Sequence, residues 1–208
     1  MKLENLKINF LGDSITEGHG TSSPDKTFHQ IIKREYGLKA AYNCGIGGTR
    51  IAKQTVPNNH KHDLYFALRS KVMTSDVDAV VVFGGTNDFG HGDSKLGDIE
   101  STDIYTFYGA VNNLILTLKK DYPNSKIIFM TPLRRATENN KNHDERILSD
   151  YVNAIIEVSK KLNVPVIDLF RSKILEPNDA TVIPDGLHPN DKGHIIMADY
   201  IAKELLKI

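Results

Sequence analysis

The sequence predicts an α/β fold in which a parallel β-sheet is covered by helices. Short apolar runs of strand length alternate along the chain with longer segments whose apolar residues recur at helical spacing. The run at residues 79–83 is continuously apolar, which is typical of a central parallel strand buried on both faces. No internal repeat, low-complexity tract or linker interrupts this pattern, so we expect a single domain over residues 1–208.

Five runs are predicted as strands and at least four segments as helices. The first strand leads directly into Gly12, and Pro132 stops the fourth. The first amphipathic helix ends at Gly37. The predicted strands are residues 8–11, 40–43, 79–83, 126–130 and 166–169. The predicted helices are residues 27–36 and the segments marked by the apolar faces Val111, Leu114, Ile115 and Leu118; Leu148, Val152, Ile155 and Leu162; and Ile195, Ala198, Ala202 and Leu205.

Composition and charge narrow the range of functions. The chain has 208 residues with 26 basic and 26 acidic side chains, so it lacks the excess positive charge of a nucleic-acid-binding protein. Its single cysteine, Cys44, excludes an intramolecular disulfide. No apolar run is long enough for a signal peptide or a transmembrane helix, and we therefore expect a cytoplasmic protein without a membrane span.

Ser14 follows the first predicted strand, at the edge where the functional groups of a parallel sheet gather. A serine hydroxyl becomes a nucleophile when a base removes its proton, and that base is usually a histidine oriented by a carboxylate. The segment after Ser14 is predicted to begin a helix, whose unpaired amides favour an anion. The alternative is that Ser14 only caps this helix, because residues 14–17 also match a capping box.

Asp185 and His188 lie in one short segment ahead of the last predicted helix. On a turn, a pair at this spacing can bring the carboxylate to one ring nitrogen and leave the other nitrogen free. A plain turn that leads into a helix capped by Asn190 or Asp191 is the alternative interpretation of the same residues.

Two further strand ends offer hydrogen-bond donors. The loop at residues 43–49 is rich in glycine, so its amides can approach a ligand oxygen closely. Asn87 follows the apolar strand at residues 79–83 and carries a side-chain amide. Each is also an ordinary loop or turn feature when taken alone. Together with the serine, the histidine and the aspartate, they supply every part that nucleophilic catalysis needs.

Four ordered blocks spread over nearly the whole chain carry a resemblance to a known family. They are Gly12-Asp13-Ser14-Ile15-Thr16-Glu17-Gly18, Asn43-x-Gly45-x-Gly47-Gly48-Thr49, Gly85-Thr86-Asn87-Asp88 and Asp185-Gly186-Leu187-His188-Pro189. In these blocks the chain resembles the SGNH hydrolases, also called the GDSL lipase/esterase family. The common α/β-hydrolase motif Gly-x-Ser-x-Gly is disfavoured, because Thr16 stands where its second glycine would be.

The resemblance implies a carboxylic ester hydrolase with Ser14 as nucleophile, His188 as general base and Asp185 as the partner that orients it. It implies an oxyanion hole formed by the Ser14 amide, the Gly48 amide and the Asn87 side chain. It also implies a three-layer α/β/α sandwich around a flavodoxin-like five-stranded parallel sheet. The expected partner is a small acyl ester, and neither a metal nor a cofactor is expected.

Candidate substrate-binding residues flank these blocks. They are Asp13, Asp88, His91 and Arg134, and Asp13 is also expected to fix the turn after the first strand. The loops at residues 88–103 and 133–144 are polar, which favours a short acyl or acetyl ester of a polar alcohol such as a carbohydrate. Alternatives are lysophospholipase-, lipase- or thioesterase-like activity, or non-catalytic binding of a carbohydrate or another small molecule.

Three other residues or runs have simpler interpretations. Cys44 is a conceivable thiol nucleophile, but no Cys–His arrangement supports it and a structural thiol is favoured. The run at residues 60–63 contains two histidines and an aspartate without the spacing of a metal site. His194, in the first turn of the last helix, is expected at the surface.

Overall fold

A five-stranded parallel sheet runs through the centre of the computed structural model, which describes residues 1–56 and 63–208. The strand order is β2-β1-β3-β4-β5, the flavodoxin-like doubly wound order. The fold class predicted from the sequence is therefore confirmed. The strands are β1 (Lys7–Gly12), β2 (Ala40–Gly45), β3 (Ala79–Phe83), β4 (Lys126–Met130) and β5 (Val166–Ile167).

Helices cover both faces of this sheet. The longer ones are α2 (Phe28–Tyr36), α5 (Phe107–Asp121), α6 (Leu148–Lys161) and α8 (Asp191–Lys207). The short ones are α1 (Ser14–Glu17), α3 (Phe66–Arg69), α4 (Thr86–His91) and α7 (Leu169–Ser172), with 3₁₀ turns at Pro24–Lys26 and Ser70–Val72. Across residues 1–56 and 63–208, each helix falls short of the length and apolar character that crossing a membrane requires.

The β3 strand separates two apolar clusters, one on each face of the sheet. Val80 and Val82 pack with α5 and α6 in the first cluster, and Val81 packs with α2 and α8 in the second. All five residues of β3 are buried, which explains why the sequence there is apolar without alternation. Burial of this kind contributes about 25 cal/mol per Å² of apolar surface, so the two clusters fix the position of β3 between its neighbours.

The bounds of one strand and of one loop differ from the sequence prediction. The β5 strand ends at Ile167, since the Asp168 carboxylate caps α7 by accepting the Arg171 amide at 3.0 Å. The loop predicted to begin at residue 88 is helical at its start, because α4 continues to His91.

The buried face of α8 includes a histidine that the sequence analysis assigned to the surface. His194 is fully buried, and its Nδ1 accepts the Phe28 amide at 3.0 Å. Ile195, assigned to the core, is instead 54% exposed. The other three residues of the predicted face, Ala198, Ala202 and Leu205, are buried as expected. The first turn is the exception, because the periodicity of apolar residues does not show that an imidazole can satisfy the first amide of α2.

A second histidine, His29, is also fully buried, and its ring packs against Phe28 as the ring of His194 does. Its Nε2 lies 3.0 Å from the Thr16 carbonyl oxygen, to which it donates. Burial disfavours the charged imidazolium and lowers the pKa of both His29 and His194 to about 4.

We expect His194→Asn to reduce the loss of stability that acid causes. In the unfolded chain the imidazole binds a proton below about pH 6.5, whereas the folded chain resists protonation to about pH 4, so His194 stabilises less as pH falls through this window. Urea unfolding at about pH 7 and about pH 4.5 should show the stability gap between wild type and variant narrowing by about 2 kcal/mol.

The matched control for this experiment is the exposed His143. The unfolding curves of His143→Asn should lie close to those of wild type, because substitutions at exposed positions change stability little. If the difference in unfolding free energy between wild type and His194→Asn does not change with pH, the lowered pKa of the buried imidazole is contradicted.

Candidate active site

The site lies where β1, β2 and β3 end beside one another. Gly12 pairs with Gly45 on one side and with Phe83 on the other. The chain leaves all three strands at the same edge because the strands are parallel. The loops that follow carry Ser14, Gly48 and Asn87 to this edge, where the three residues line a single cleft of about 400 Å³.

Ser14 is the first residue of α1, and the residue that caps this helix is Asp13. The Asp13 carboxylate accepts the Ile15 amide at 3.1 Å. The interpretation of Ser14 as the N-cap is therefore wrong, because the carboxylate before it takes that role. The Ser14 hydroxyl is instead directed to His188, with Oγ 3.0 Å from Nε2.

His188 and Asp185 are joined both through the ring and through the backbone. His188 Nδ1 lies 2.6 Å from Asp185 Oδ2, and Asp185 Oδ1 accepts the amides of Leu187 at 2.9 Å and His188 at 2.7 Å. Partial burial acts to raise the pKa of Asp185, but these bonds outweigh it and lower the pKa to about 2. An ionised carboxylate can only accept, so Nδ1 carries the proton and Nε2 is left to accept from Ser14.

The segment that contains Asp185 and His188 also forms the turn into α8 that was the alternative interpretation of its sequence. Asn190 caps α8 by accepting the amides of Lys192 at 3.1 Å and Gly193 at 3.2 Å. The turn and the Asp185–His188 pair are thus two properties of one segment, and the cap fixes the point from which the histidine extends.

The glycine-rich loop after β2 needs its glycines for two different reasons. A Cβ at Gly45 would lie 2.2 Å from the Glu17 amide nitrogen, so only glycine lets α1 pack this closely. Gly48 has a φ of +76°, a left-handed conformation that other residues rarely adopt. Gly45 thus lets the loop pack against α1, and the left-handed conformation of Gly48 lets the chain turn where it borders the cleft.

Asn87 and Asp88 attach α4 to the segment that follows Gly48. Asn87 Nδ2 donates to the Thr49 carbonyl at 3.0 Å. The Asp88 carboxylate accepts the amides of Ile51 at 3.0 Å and Ala52 at 2.8 Å. Three bonds therefore hold Asn87 in a fixed relation to the segment that follows Gly48.

Both carboxylates that were expected to bind substrate, Asp13 and Asp88, are buried instead. Asp13 is 2% exposed and Asp88 is 1% exposed, and each accepts backbone amides beneath the cleft. Burial raises the pKa of Asp13 to about 7 and that of Asp88 to about 6, although the amide bonds act in the opposite direction. The expectation that Asp13 and Asp88 contact substrate is therefore wrong, because both carboxylates support the loops beneath the cleft.

The expectation that Arg134 binds substrate is also wrong, because the adjacent Arg135 takes the position in the cleft. The Arg134 guanidinium donates to Glu138 at 2.6 Å and to Glu176 at 2.7 Å, which holds it outside the cleft lining. Arg135 lines the cleft, where its Nη1 donates to the Thr86 carbonyl at 3.1 Å.

Sequence reasoning missed Arg69, which lies under the strand ends. Arg69 is 6% exposed, and its guanidinium donates to the carbonyls of Gly12 at 2.8 Å, Cys44 at 2.8 Å and Leu64 at 3.0 Å. Nη2 also donates to the Thr49 hydroxyl at 3.0 Å. No local pattern marks this arginine, because only Leu64 is near it in sequence and its other partners lie 20 or more residues away.

Two cleft residues next to Ser14 were likewise not predicted. The Glu17 carboxylate accepts the Gly47 amide at 2.8 Å, and the His19 ring lies 4.3 Å from the His188 ring, centre to centre. Both line the cleft. His91, the remaining candidate from the sequence, lines it as well.

Cys44 has the environment of a structural thiol. It packs against the apolar cluster on one face of the sheet, and burial raises the pKa of its thiol to about 11. A raised pKa opposes formation of the thiolate, so the structure argues against Cys44 as a nucleophile. Residues 60–62 of the histidine-containing run lie outside the described residues.

A hydroxyl, an imidazole and a carboxylate thus lie in hydrogen-bonded series beside a glycine-rich loop and an asparagine. This combination, at the carboxyl edge of a doubly wound parallel sheet, defines a serine–histidine–aspartate site of the kind that can activate a hydroxyl for attack on a carbonyl carbon. A model of the GDSL-like Lipase/Acylhydrolase family matches residues 10–196. The chain belongs to that family, and the resemblance found in the sequence is confirmed.

The chain is similar over its whole length to several known proteins. An acetylxylan esterase from Xylanibacter ruminicola is 28% identical over 218 residues, covering 97% of this chain and 43% of that protein. A crystal structure of a Lactobacillus plantarum protein is 27% identical with a TM-score of 0.83, covering 98% of both chains. Another crystal structure is 33% identical with a TM-score of 0.88, covering 100% of this chain and 99% of the other. The chain thus spans less than half the length of the curated esterase.

We expect Arg69→Met to destabilise the protein by about 3–5 kcal/mol, since it leaves buried carbonyl groups without their charged donor. Urea unfolding measures the change. The matched control is Arg34→Met, which removes an arginine whose side chain is 55% exposed and should cost about 0.5 kcal/mol or less. Equal losses for the two variants would show that Arg69 does not hold the strand ends together.

Proposed function

We propose that this chain is a serine ester hydrolase that works through an acyl-enzyme on Ser14. The observation that carries the proposal is the hydrogen-bonded series from Ser14 Oγ to His188 Nε2 at 3.0 Å and from His188 Nδ1 to Asp185 at 2.6 Å. A hydroxyl that donates to an unprotonated ring nitrogen can lose its proton as it attacks a carbonyl carbon. Membership of an acylhydrolase family supports the same chemistry.

The proposed reaction has two half-cycles with the same base. His188 Nε2 takes the Ser14 proton as Oγ bonds to the ester carbonyl carbon, and the imidazolium then returns that proton to the departing alcohol. Water, deprotonated by His188, attacks the acyl carbon, and Ser14 Oγ leaves with the proton. In each tetrahedral intermediate the Ser14 amide, the Gly48 amide and Asn87 Nδ2 are proposed to stabilise the negative oxygen.

The proposed substrate is a short acyl ester, such as an acetyl ester, of a polar alcohol such as a carbohydrate. Among the described residues that line the cleft, Leu187 alone has an aliphatic side chain, whereas Glu17 and Arg135 are charged. A long acyl chain needs apolar surface to bury against, and this lining offers little of it. The relative from Xylanibacter ruminicola is named an acetylxylan esterase, which favours the same substrate class.

We expect Ser14→Ala to abolish ester hydrolysis, because no other group in the proposed mechanism forms the acyl-enzyme. The measurement is hydrolysis of 4-nitrophenyl acetate, with unfolding curves to verify that the variant folds. Wild type should also be labelled at Ser14 by a serine-directed organophosphonate, located by mass spectrometry. A folded wild type that is neither labelled nor active would favour non-catalytic binding of a small molecule.

We expect catalytic efficiency to fall as the acyl chain of the ester lengthens. Acetyl esters should exceed octanoyl esters in kcat/KM by about tenfold or more, since the polar lining cannot compensate for ordering a longer chain. A series of 4-nitrophenyl esters measures this, with Ser14→Ala as the background control. A preference for the octanoyl ester would overturn the substrate class and favour lipase-like activity.

A further inference from the structure

His91 stands between Asn87 and a buried arginine. His91 Nε2 lies 3.0 Å from Asn87 Oδ1, and Arg50 Nη2 contacts His91 Nδ1 while also donating to the His91 carbonyl at 3.0 Å. Asn87 and His91 are four residues apart on α4, which brings their side chains to the same side of the helix. Both ring nitrogens of His91 are therefore engaged within the protein, although the ring borders the cleft.

The partners of this ring determine which nitrogen carries its proton. A guanidinium only donates, so His91 Nδ1 accepts from Arg50. The proton is then on Nε2, which donates to Asn87 Oδ1. The hydrogen bonds thus assign one tautomer of His91 and one orientation of the Asn87 carboxamide.

The orientation of this carboxamide decides what it presents to the cleft. With Oδ1 held by His91, Nδ2 gives one hydrogen to the Thr49 carbonyl at 3.0 Å and keeps the second for another acceptor. Rotation of the amide by half a turn would exchange the two atoms. It would then place an acceptor where the proposed reaction requires a donor.

Arg50 is a buried cation in direct contact with His91. It is 1% exposed, and among the described residues its Nε and Nη1 have no hydrogen-bond partner. Its charge is balanced through space by the buried Asp88, which is anchored by the amides of Ile51 and Ala52. A buried guanidinium is costly, and both hydrogen bonds described for this one go to His91.

We propose that His91 is a positioning residue, which Arg50 holds as the Nε2-protonated tautomer and which fixes Asn87 Nδ2 as a donor into the cleft. The inference rests on the proposed esterase function for its kinetic consequences, whereas the tautomer follows from the hydrogen bonds alone. It replaces the sequence-based expectation that His91 binds substrate, because neither ring nitrogen is left to do so.

The kinetic test compares His91→Ala and His91→Gln with wild type on 4-nitrophenyl acetate. His91→Ala should lower kcat about tenfold or more with KM within about twofold, because a misdirected donor acts on the transition state and not on the bound ester. His91→Gln should recover much of kcat, since its amide can donate to Asn87 Oδ1. A rise in KM with kcat unchanged would instead support substrate binding by His91 and overturn the inference.

A double-mutant cycle separates positioning from a general structural effect. In the Asn87→Ala background, His91→Ala should cause no further loss of kcat, because the group that it positions is already absent. Losses that multiply would overturn the inference. His143→Ala, a change at an exposed histidine outside the cleft, is the control and should leave kcat unchanged.

The tautomer can be read without any activity. In ¹⁵N-detected NMR of wild type, the His91 ring should show a protonated Nε2 and an unprotonated Nδ1, and Arg50→Met should relax this preference. The opposite tautomer in wild type would overturn the inference even if the protein hydrolyses esters. Conversely, the expected tautomer in a protein without esterase activity would leave the positioning geometry in place and count only against the proposed function.

Discussion

The pairing of Gly12 with Gly45 on one side and Phe83 on the other is the constraint on which the site depends. Main-chain hydrogen bonds between parallel strands set this register, and the apolar clusters on the two faces of the sheet keep it from slipping. Because the three strands end together, the residues that follow them are neighbours in space. Arg69 reinforces the same edge from below by binding the carbonyls at the ends of β1 and β2.

The buried charged side chains under the cleft form their hydrogen bonds mainly with main-chain groups. Asp13 and Asp88 accept amides, and Arg69 donates to carbonyls. Burying an ionic group is costly unless its hydrogen bonds are made, so these side chains stabilise the loops only in the geometry observed. The opposed shifts, upward for the pKa of Asp13 and downward to about 10 for that of Arg69, both arise from burial. The loops around Ser14 are thereby fixed from beneath, while their upper surface remains open to the cleft.

The parts of the fold that the sequence predicted are those encoded locally. The apolar run of β3 and the helical spacing in α5 and α6 identify their own structure, because burial repeats at the period of the element. The spacing of Asp185 and His188 likewise lies within one turn, so its geometry could be foreseen.

Side-chain direction could not be predicted in the same way. Arg134 and Arg135 are adjacent in sequence, and only contacts with Glu138, Glu176 and Thr86 decide which of them enters the cleft. Arg69 and Arg50 donate hydrogen bonds mainly to groups that are distant in sequence. The spacing of residues along the chain does not reveal such partners. The burial of His194 was missed for the same reason, since its partner is an amide of α2.

The local character of the Asp185–His188 pair has a consequence for motion. The Asp185 carboxylate accepts hydrogen bonds from the His188 ring and from two amides of the same short turn. The carboxylate and the imidazole are therefore held to each other by local bonds. Ser14 belongs to a different body, anchored on β1. A shift of the turn relative to β1 would therefore change the 3.0 Å distance between Ser14 Oγ and His188 Nε2 without breaking the bonds within the turn that set the tautomer of the base.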